Sequence, residues 1–225
     1  RQRDLTSAPV VNSHGQLIGV ITVDDIVDVI HEEHEEDIMR LAGVGEEDDL
    51  YDAVVKTTMS RFSWLLLHLI CAMTAAYVIS LFQVQIEQLV VLAVLMPVVA
   101  TMGGAASVQA LTVSVRGIAM KEVNPSNTIR TIGKEAMVGL LNGLIFALMI
   151  SIISWFWFGS VALGVVIAMA IMINLFVAGL SGSALPILLQ KMGYDPAVAS
   201  SAFLTSITDI VGFYVFLGLG AIVLL

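Results

Sequence analysis

The stretch VALGVVIAMAIMINLFVAGLSGSALPILL, residues 161–189, contains no Asp, Glu, Lys or Arg, and it decides the fold class of this chain. A helix needs about 20 consecutive apolar residues to cross a bilayer, so this run is long enough to span one. The whole chain is 58% hydrophobic and 13% charged, whereas ordinary globular domains are about 45–50% apolar and about 25% charged. The sequence therefore predicts a membrane protein rather than a soluble globule.

Four further apolar runs accompany this one, and together they predict an all-α membrane protein with five transmembrane helices. The predicted spans are residues 64–82, 89–115, 132–156, 161–189 and 196–225. Lys and Arg occur before the first span and in the second and fourth connections, but not in the first and third. This distribution predicts a multi-pass protein of the cell membrane with a cytoplasmic N-terminus and an extracellular or periplasmic C-terminus.

The N-terminal part of the chain differs from the rest in charge and in pattern. Residues 1–55 hold 14 acids and 3 bases, whereas residues 56–225 hold 5 acids and 7 bases. Two short apolar runs separated by a turn and followed by an amphipathic run predict a small α/β segment, with Asp24 as the helix cap. A segment this short cannot bury a core alone, so we expect it to belong to a larger unit. The acidity argues against a nucleic acid as partner, since nucleic-acid binding needs a basic surface, and it favours cations.

Asp209 is the most informative polar residue, because it lies about 13 residues into the last predicted span. A carboxylate at that depth costs at least ~2.5–3.5 kcal/mol on insertion scales. Ser201 and Thr205 precede it at four-residue intervals, which places all three on one helical face. We interpret this polar stripe as part of an ion or proton pathway; the alternative is a hydrogen bond that packs Asp209 against a neighbouring helix.

A single carboxylate is a poor cage for a divalent cation, but a two-fold axis would bring a second Asp209 opposite the first. The sequence thus favours a homodimer in which a cation relieves the repulsion between the two carboxylates. Mg²⁺ suits such a site because it often keeps several of its waters.

Polar, glycine and proline residues in the other spans are candidates for pore lining or for packing. Pro97 and the pair Gly103-Gly104 predict an interrupted second span, of the kind found where a helix lines a cavity or packs closely. Glu135 lies near the cytoplasmic end of its span, so a side chain that extends back to water is an alternative there. The remaining candidates in this group are Gln109, Asn142 and Asn174.

An acidic belt runs from Asp24 to Asp52 and contains 13 acids but only one base, Arg40. The simpler interpretation is a solvated helix face. The alternative is a gate: such a density of like charge repels itself, and divalent cations would neutralise it and let the segments pack together.

Several motifs resemble the MgtE family of magnesium transporters and channels. The most specific is GYDPAVAS at residues 193–200, followed by the threonines and the aspartate of the last span. MPVVATMGG at residues 96–104 and PSNTIRTIGKEAMVGLLNG at residues 125–143 also match. APVVNSHGQLIGVITVDDIVDVIHEE, residues 8–33, is similar to the second half of a CBS domain, so the resemblance covers essentially the whole chain.

The resemblance implies a homodimeric, five-span channel that takes up Mg²⁺ and is gated by cytosolic Mg²⁺. It implies the end of a cytosolic CBS domain at residues 1–30, an acidic connecting or plug helix at 31–60, and a pore domain at 61–225. The pore ligands would be Asp209, Thr205 and Ser201. The cytosolic sensor would use carboxylates drawn from Asp24, Asp25, Asp28, Glu32, Glu35, Glu36 and Asp37. Family members usually carry Asn where this chain has Ala105, which puts the contribution of that position in question.

Two other functions are compatible with the same residues. One is a transporter that couples a divalent cation to Na⁺ or H⁺, since broken helices and an acid at mid-depth suit that class too. The other is a membrane-anchored sensor whose CBS segment binds an adenine nucleotide and whose spans only dimerise. We expect no enzymatic activity, because the sequence has neither a phosphate-binding glycine loop of the P-loop kind nor a nucleophile constellation.

Overall fold

The computed structural model describes residues 6–45, 49, 51–198 and 201–225. Two antiparallel strands open the chain, β1 at Ser7–Val11 and β2 at Leu17–Thr22. They are followed by seven α-helices: α1 Val23–Leu41, α2 Val54–Ser80, α3 Gln83–Gln88, α4 Val90–Ala119, α5 Thr128–Phe158, α6 Val161–Lys191 and α7 Ser201–Val223. A short 3₁₀ turn, Pro196–Val198, precedes α7.

The cap of α1 is Thr22, and the prediction that Asp24 would cap this helix is wrong. The Thr22 hydroxyl accepts a hydrogen bond from the Asp25 backbone amide, and the Asp25 carboxylate accepts one from the Thr22 amide at 2.7 Å. This reciprocal capping box satisfies two amides that the first turn of a helix leaves without partners. Asp24 therefore lies inside the first turn. The helix ends at Leu41, and Gly43 follows it in the left-handed region (φ 70°).

Five helices, α2, α4, α5, α6 and α7, are long and apolar enough to cross a membrane, which confirms the predicted architecture. Their ends differ from the predicted ones in two informative places. α2 begins at Val54, ten residues before the predicted span, so the polar segment that contains Lys56 and Arg61 is part of this helix. The fifth span was predicted from Pro196, but that proline starts the 3₁₀ turn and α7 begins at Ser201.

The prediction of an interrupted second span is also wrong, because α4 is one continuous helix. Pro97 lies on its exposed side, and the helix continues through it. Gly103 and Gly104 are buried within the helix, so their small size serves close packing rather than a break.

α6 is the centre of the membrane-spanning part. It packs against α4, α5 and α7, and the core around it includes Leu92, Val99, Ile167, Ile171 and Phe216. α2 contacts α7 and buries a single residue, Ala75. α5 packs along α6 and scarcely touches α4 or α7. The arrangement leaves a groove between α4 and α5, with α6 at its floor.

Two glycines set how closely α5 and α6 approach each other. A Cβ on Gly139 would overlap the Leu175 carbonyl oxygen, and a Cβ on Gly179 would overlap the Glu135 carbonyl oxygen. The two backbones are therefore in direct contact, as small residues permit between membrane helices.

Candidate ion-binding site

The predicted polar stripe of α7 is helical and only partly buried. Ser201, Thr205 and Asp209 follow one another at intervals of one turn, and each is of intermediate exposure. Asp209 lies eight residues after the start of α7, which is about 12 Å along the helix axis. Within the described residues its carboxylate has no hydrogen bond and no ion pair. The Thr205 hydroxyl donates to the Ala202 carbonyl at 3.0 Å, so its oxygen still has lone pairs to offer a ligand.

The packing of α4 against α7 fixes the level of Asp209, that is, its height along the axes of these two helices. A Cβ on Gly104 would lie 3.1 Å from Cγ2 of Thr205, and a Cβ on Gly212 would lie 3.0 Å from Cγ1 of Val99. The two helices therefore run antiparallel in close contact. Asp209 lies between these two levels, opposite the part of α4 between Val99 and Gly104.

α4 carries an exposed stripe that passes this level. Its members recur every three or four residues along the helix and are Pro97, Thr101, Ala105, Gln109, Thr112 and Arg116. Most of these side chains are polar, and a polar face turned to hydrocarbon is unfavourable in a membrane helix. The stripe is thus a surface that fits water or another protein chain better than it fits lipid.

Asn174 of α6 contacts both α4 and α7 near the level of Asp209. Its side chain is 1% exposed, and its Nδ2 donates to the Val99 carbonyl of α4 at 2.9 Å. It fits only because two glycines face it: a Cβ on Gly103 would lie 2.9 Å from Asn174 Cγ, and one on Gly212 would lie 2.7 Å from Asn174 Nδ2. The Oδ1 of Asn174 has no hydrogen-bond partner among the residues that the structure describes.

Three other candidates, Gln109, Glu135 and Asn142, come together at a different place. They line a cavity of about 190 Å³ between α4, α5 and α6. Neither Asp209 nor the other polar residues of α7 line this cavity. The structure thus divides the predicted membrane-embedded candidates between two locations.

The acidic helix α1 lies against the membrane-spanning part through its last turns. Arg40 forms ion pairs with Glu36 on α1 and with Asp195 in the connection between α6 and α7. Glu36 and Asp37 line a cavity of about 710 Å³ that the end of α4 and Pro196 also border. Sequence reasoning missed this link, although Arg40 is the only base in the acidic belt and Asp195 belongs to the GYDP motif.

The other predicted sensor carboxylates, Asp24, Asp25, Asp28, Glu32 and Glu35, are exposed along α1. One of them already has a structural role: hydrogen bonds from the Thr22 backbone amide and then from its hydroxyl lower the pKa of Asp25. Among the described residues, no three His, Cys, Asp or Glu side chains lie close enough to hold a metal ion. Residues 46–48 of the belt lie outside the described residues.

Comparison with known proteins gives consistent matches over the whole chain. The family model of the divalent cation transporter MgtE matches residues 96–219, and a CBS domain model matches residues 1–32. The magnesium transporter MgtE of Enterococcus faecalis is 36% identical over 221 residues, which is 98% of this chain and 49% of that protein. The magnesium transporter MgtE of Bacillus subtilis is 33% identical over 216 residues, 96% of this chain and 48% of that protein. The magnesium transporter MgtE of Thermus thermophilus is 31% identical over 223 residues, which is 98% of this chain and 49% of that protein. The chain spans about half the length of these relatives.

Proposed function

Because the chain belongs to the MgtE family of divalent cation transporters, we propose that it carries Mg²⁺ across a membrane and that Asp209 binds the ion on its path. The observation that carries this proposal is the half-buried Asp209 carboxylate, which has no partner among the described residues and lies at the same level as part of the exposed polar stripe of α4. A carboxylate in such a place needs a positive charge or water near it. A cation that crosses the membrane supplies the charge.

The proposed path lies between two copies of the chain. The part of the α4 stripe from Pro97 to Ala105, at the level of Asp209, and the half-buried face of α7 would both be covered if a second copy faced them across a two-fold axis. Two Asp209 carboxylates would then balance the charge of one Mg²⁺. Thr205 and Ser201, one and two turns closer to the start of α7, would offer hydroxyl oxygens to the ion or to its retained waters.

We further propose that residues 1–30 end a cytosolic CBS domain and that residues 31–60 form an acidic connecting segment that senses cytosolic Mg²⁺. The contact of α1 with the end of α4 and with the connection between α6 and α7 supports this, because it links the acidic helix to both ion-path helices. Mg²⁺ bound between the carboxylates of α1 would hold the helix in place. Loss of Mg²⁺ would restore the repulsion and release it.

The test is Mg²⁺ flux into liposomes that contain the purified protein, measured with a fluorescent indicator. Asp209→Asn keeps the shape of the side chain and removes its charge, and we expect it to lower the flux at least about tenfold, the equivalent of about 1.4 kcal/mol. Glu87→Gln is the matched control, because it removes one carboxylate from the exposed helix α3 outside the five long helices. Equal flux in wild type and Asp209→Asn, at equal incorporation, would exclude the proposed role of Asp209.

A further inference from the structure

We propose that Glu135, Gln109 and Asn142 form a second cation site within the membrane, separate from Asp209, and that it takes a monovalent metal ion such as Na⁺. This inference goes beyond the proposed function, since it does not require Mg²⁺ to pass along α7. It starts from the cavity in the groove between α4 and α5.

The cavity is a consequence of how three helices pack. α5 and α6 are in backbone contact at Gly139 and Gly179, while α4 packs on another side of α6 and scarcely meets α5. The walls of the groove are mainly small or apolar side chains. Against this background, polar groups enter from both sides: Gln109 from α4, and Glu135 and Asn142 from α5.

The carboxylate of Glu135 is poorly neutralised by the chain itself. Its side chain is only 11% exposed, and among the described residues it pairs with the Lys134 ammonium at 3.7 Å, whose side chain is 71% exposed. Consecutive residues of a helix do not face each other, so this pair is weak. The Glu135 side chain is thus largely enclosed between α4, α5 and α6, where a bare carboxylate is costly. A cation in the cavity would remove that cost.

The chemistry of the lining defines the class of ion. Carboxylate and amide oxygens are ligands for hard cations, and the cavity offers one carboxylate and two side-chain amides. One negative charge balances a monovalent ion, whereas a divalent ion would leave a net positive charge in a low-dielectric place. This differs from the proposed dimer path, where two carboxylates face one ion. The volume leaves room for waters to complete the coordination shell.

The experiment is binding of ²²Na⁺ to the purified chain in lipid nanodiscs, measured by scintillation proximity in choline buffer at constant ionic strength. We expect saturable binding by wild type and at least a tenfold loss of affinity in Glu135→Gln. Asn142→Leu, which substitutes an exposed position of α5, should weaken binding severalfold and guards against a folding defect in the first variant. Size-exclusion profiles confirm that each variant is folded.

Two matched variants test where the ion binds. Asp209→Asn should bind ²²Na⁺ like wild type, and its loss of binding would overturn the assignment to a separate site. Lys134→Gln should bind at least as tightly as wild type, because it removes a nearby positive charge. The proposal is also overturned if wild type binds no ²²Na⁺, if Glu135→Gln binds it unchanged, or if Mg²⁺ displaces it at a lower concentration than Na⁺ itself. None of these results depends on Mg²⁺ flux, so they test the second site independently of the proposed function.

Discussion

Replacement of Gly103 by alanine tests the three-helix contact at the level of Asp209. The added methyl would overlap Nδ2 of Asn174 and lie 2.9 Å from its Cγ, closer than carbon atoms pack in proteins. Asn174 is held by its hydrogen bond to the Val99 carbonyl and by Gly212 on its other side, so it has little room to move. Such overpacking costs about 1–3 kcal/mol. In a chain of this size that corresponds to a fall in melting temperature of roughly 2–12 °C.

The second half of the prediction is a rescue. Asn174→Ala loses one hydrogen bond, worth about 0.6 kcal/mol between membrane helices, and it also removes the Oδ1 that has no partner. The double variant Gly103→Ala/Asn174→Ala places the new methyl in the space that the amide has left. We therefore expect it to be more stable than the sum of the two single changes by about 1 kcal/mol or more.

The assay is thermal unfolding of the purified protein in detergent, followed by tryptophan fluorescence. Gly133→Ala is the matched control, because a Cβ at that position of α5 has nothing within 4 Å. Alanine there should be neutral or slightly stabilising, since glycine is the poorer helix former. If Gly103→Ala melts like Gly133→Ala, or if Asn174→Ala gives no rescue, the contact described between α4, α6 and α7 is wrong. Mg²⁺ flux should follow the same order, because this contact sets the level of Asp209 against α4.

Two further predictions concern α1. Asp25→Ala removes the capping box, so hydrogen exchange in the first turn of α1 should become faster at pH 7. The hydrogen bonds from Thr22 lower the pKa of Asp25, so this stabilisation is present above the usual Asp range and is lost as pH falls through the folded pKa. The exchange rates of wild type and Asp25→Ala should therefore converge at low pH. A difference that persists unchanged at pH 2 would contradict this account. Arg40→Gln should release the end of α1 from the connection between α6 and α7 and increase exchange in the last turn of α1. Asp195→Asn should have the same effect, and the double variant should add little if the two side chains act as one pair.

The number and order of the membrane helices could be predicted because each span needs only its own composition. An apolar run of about 20 residues has few structures open to it in a bilayer, since its backbone must satisfy its own hydrogen bonds. The same local reasoning failed at positions where contacts with neighbouring helices decide the local structure. Gly103 and Gly104 weaken an isolated helix, yet in α4 they are the positions against which side chains of α6 and α7 pack.

The sites could be predicted only in part, for a similar reason. Asp209 stands out from the sequence because it lies within a membrane span, whereas Asp195 does not, because a charged residue is ordinary in a connection between helices. Its ion pair with Arg40 joins positions far apart in the chain, and no periodicity indicates it. The capping role of Thr22 is local, and the preference of threonine for that position could have identified it.

The membrane-spanning helices hold two acids, Asp209 and Glu135, and we propose different ions for them because their surroundings differ. Asp209 lies at the level of an exposed polar stripe that we propose a second copy covers, so its carboxylate would be doubled by symmetry and would balance a divalent ion. Glu135 lies in a groove whose walls α4, α5 and α6 of one chain supply, so its charge stays single. The charge that each place can balance therefore follows from helix packing rather than from residue type. If ²²Na⁺ binding is lost in Glu135→Gln and kept in Asp209→Asn, while Mg²⁺ flux is lost in Asp209→Asn, both assignments hold together.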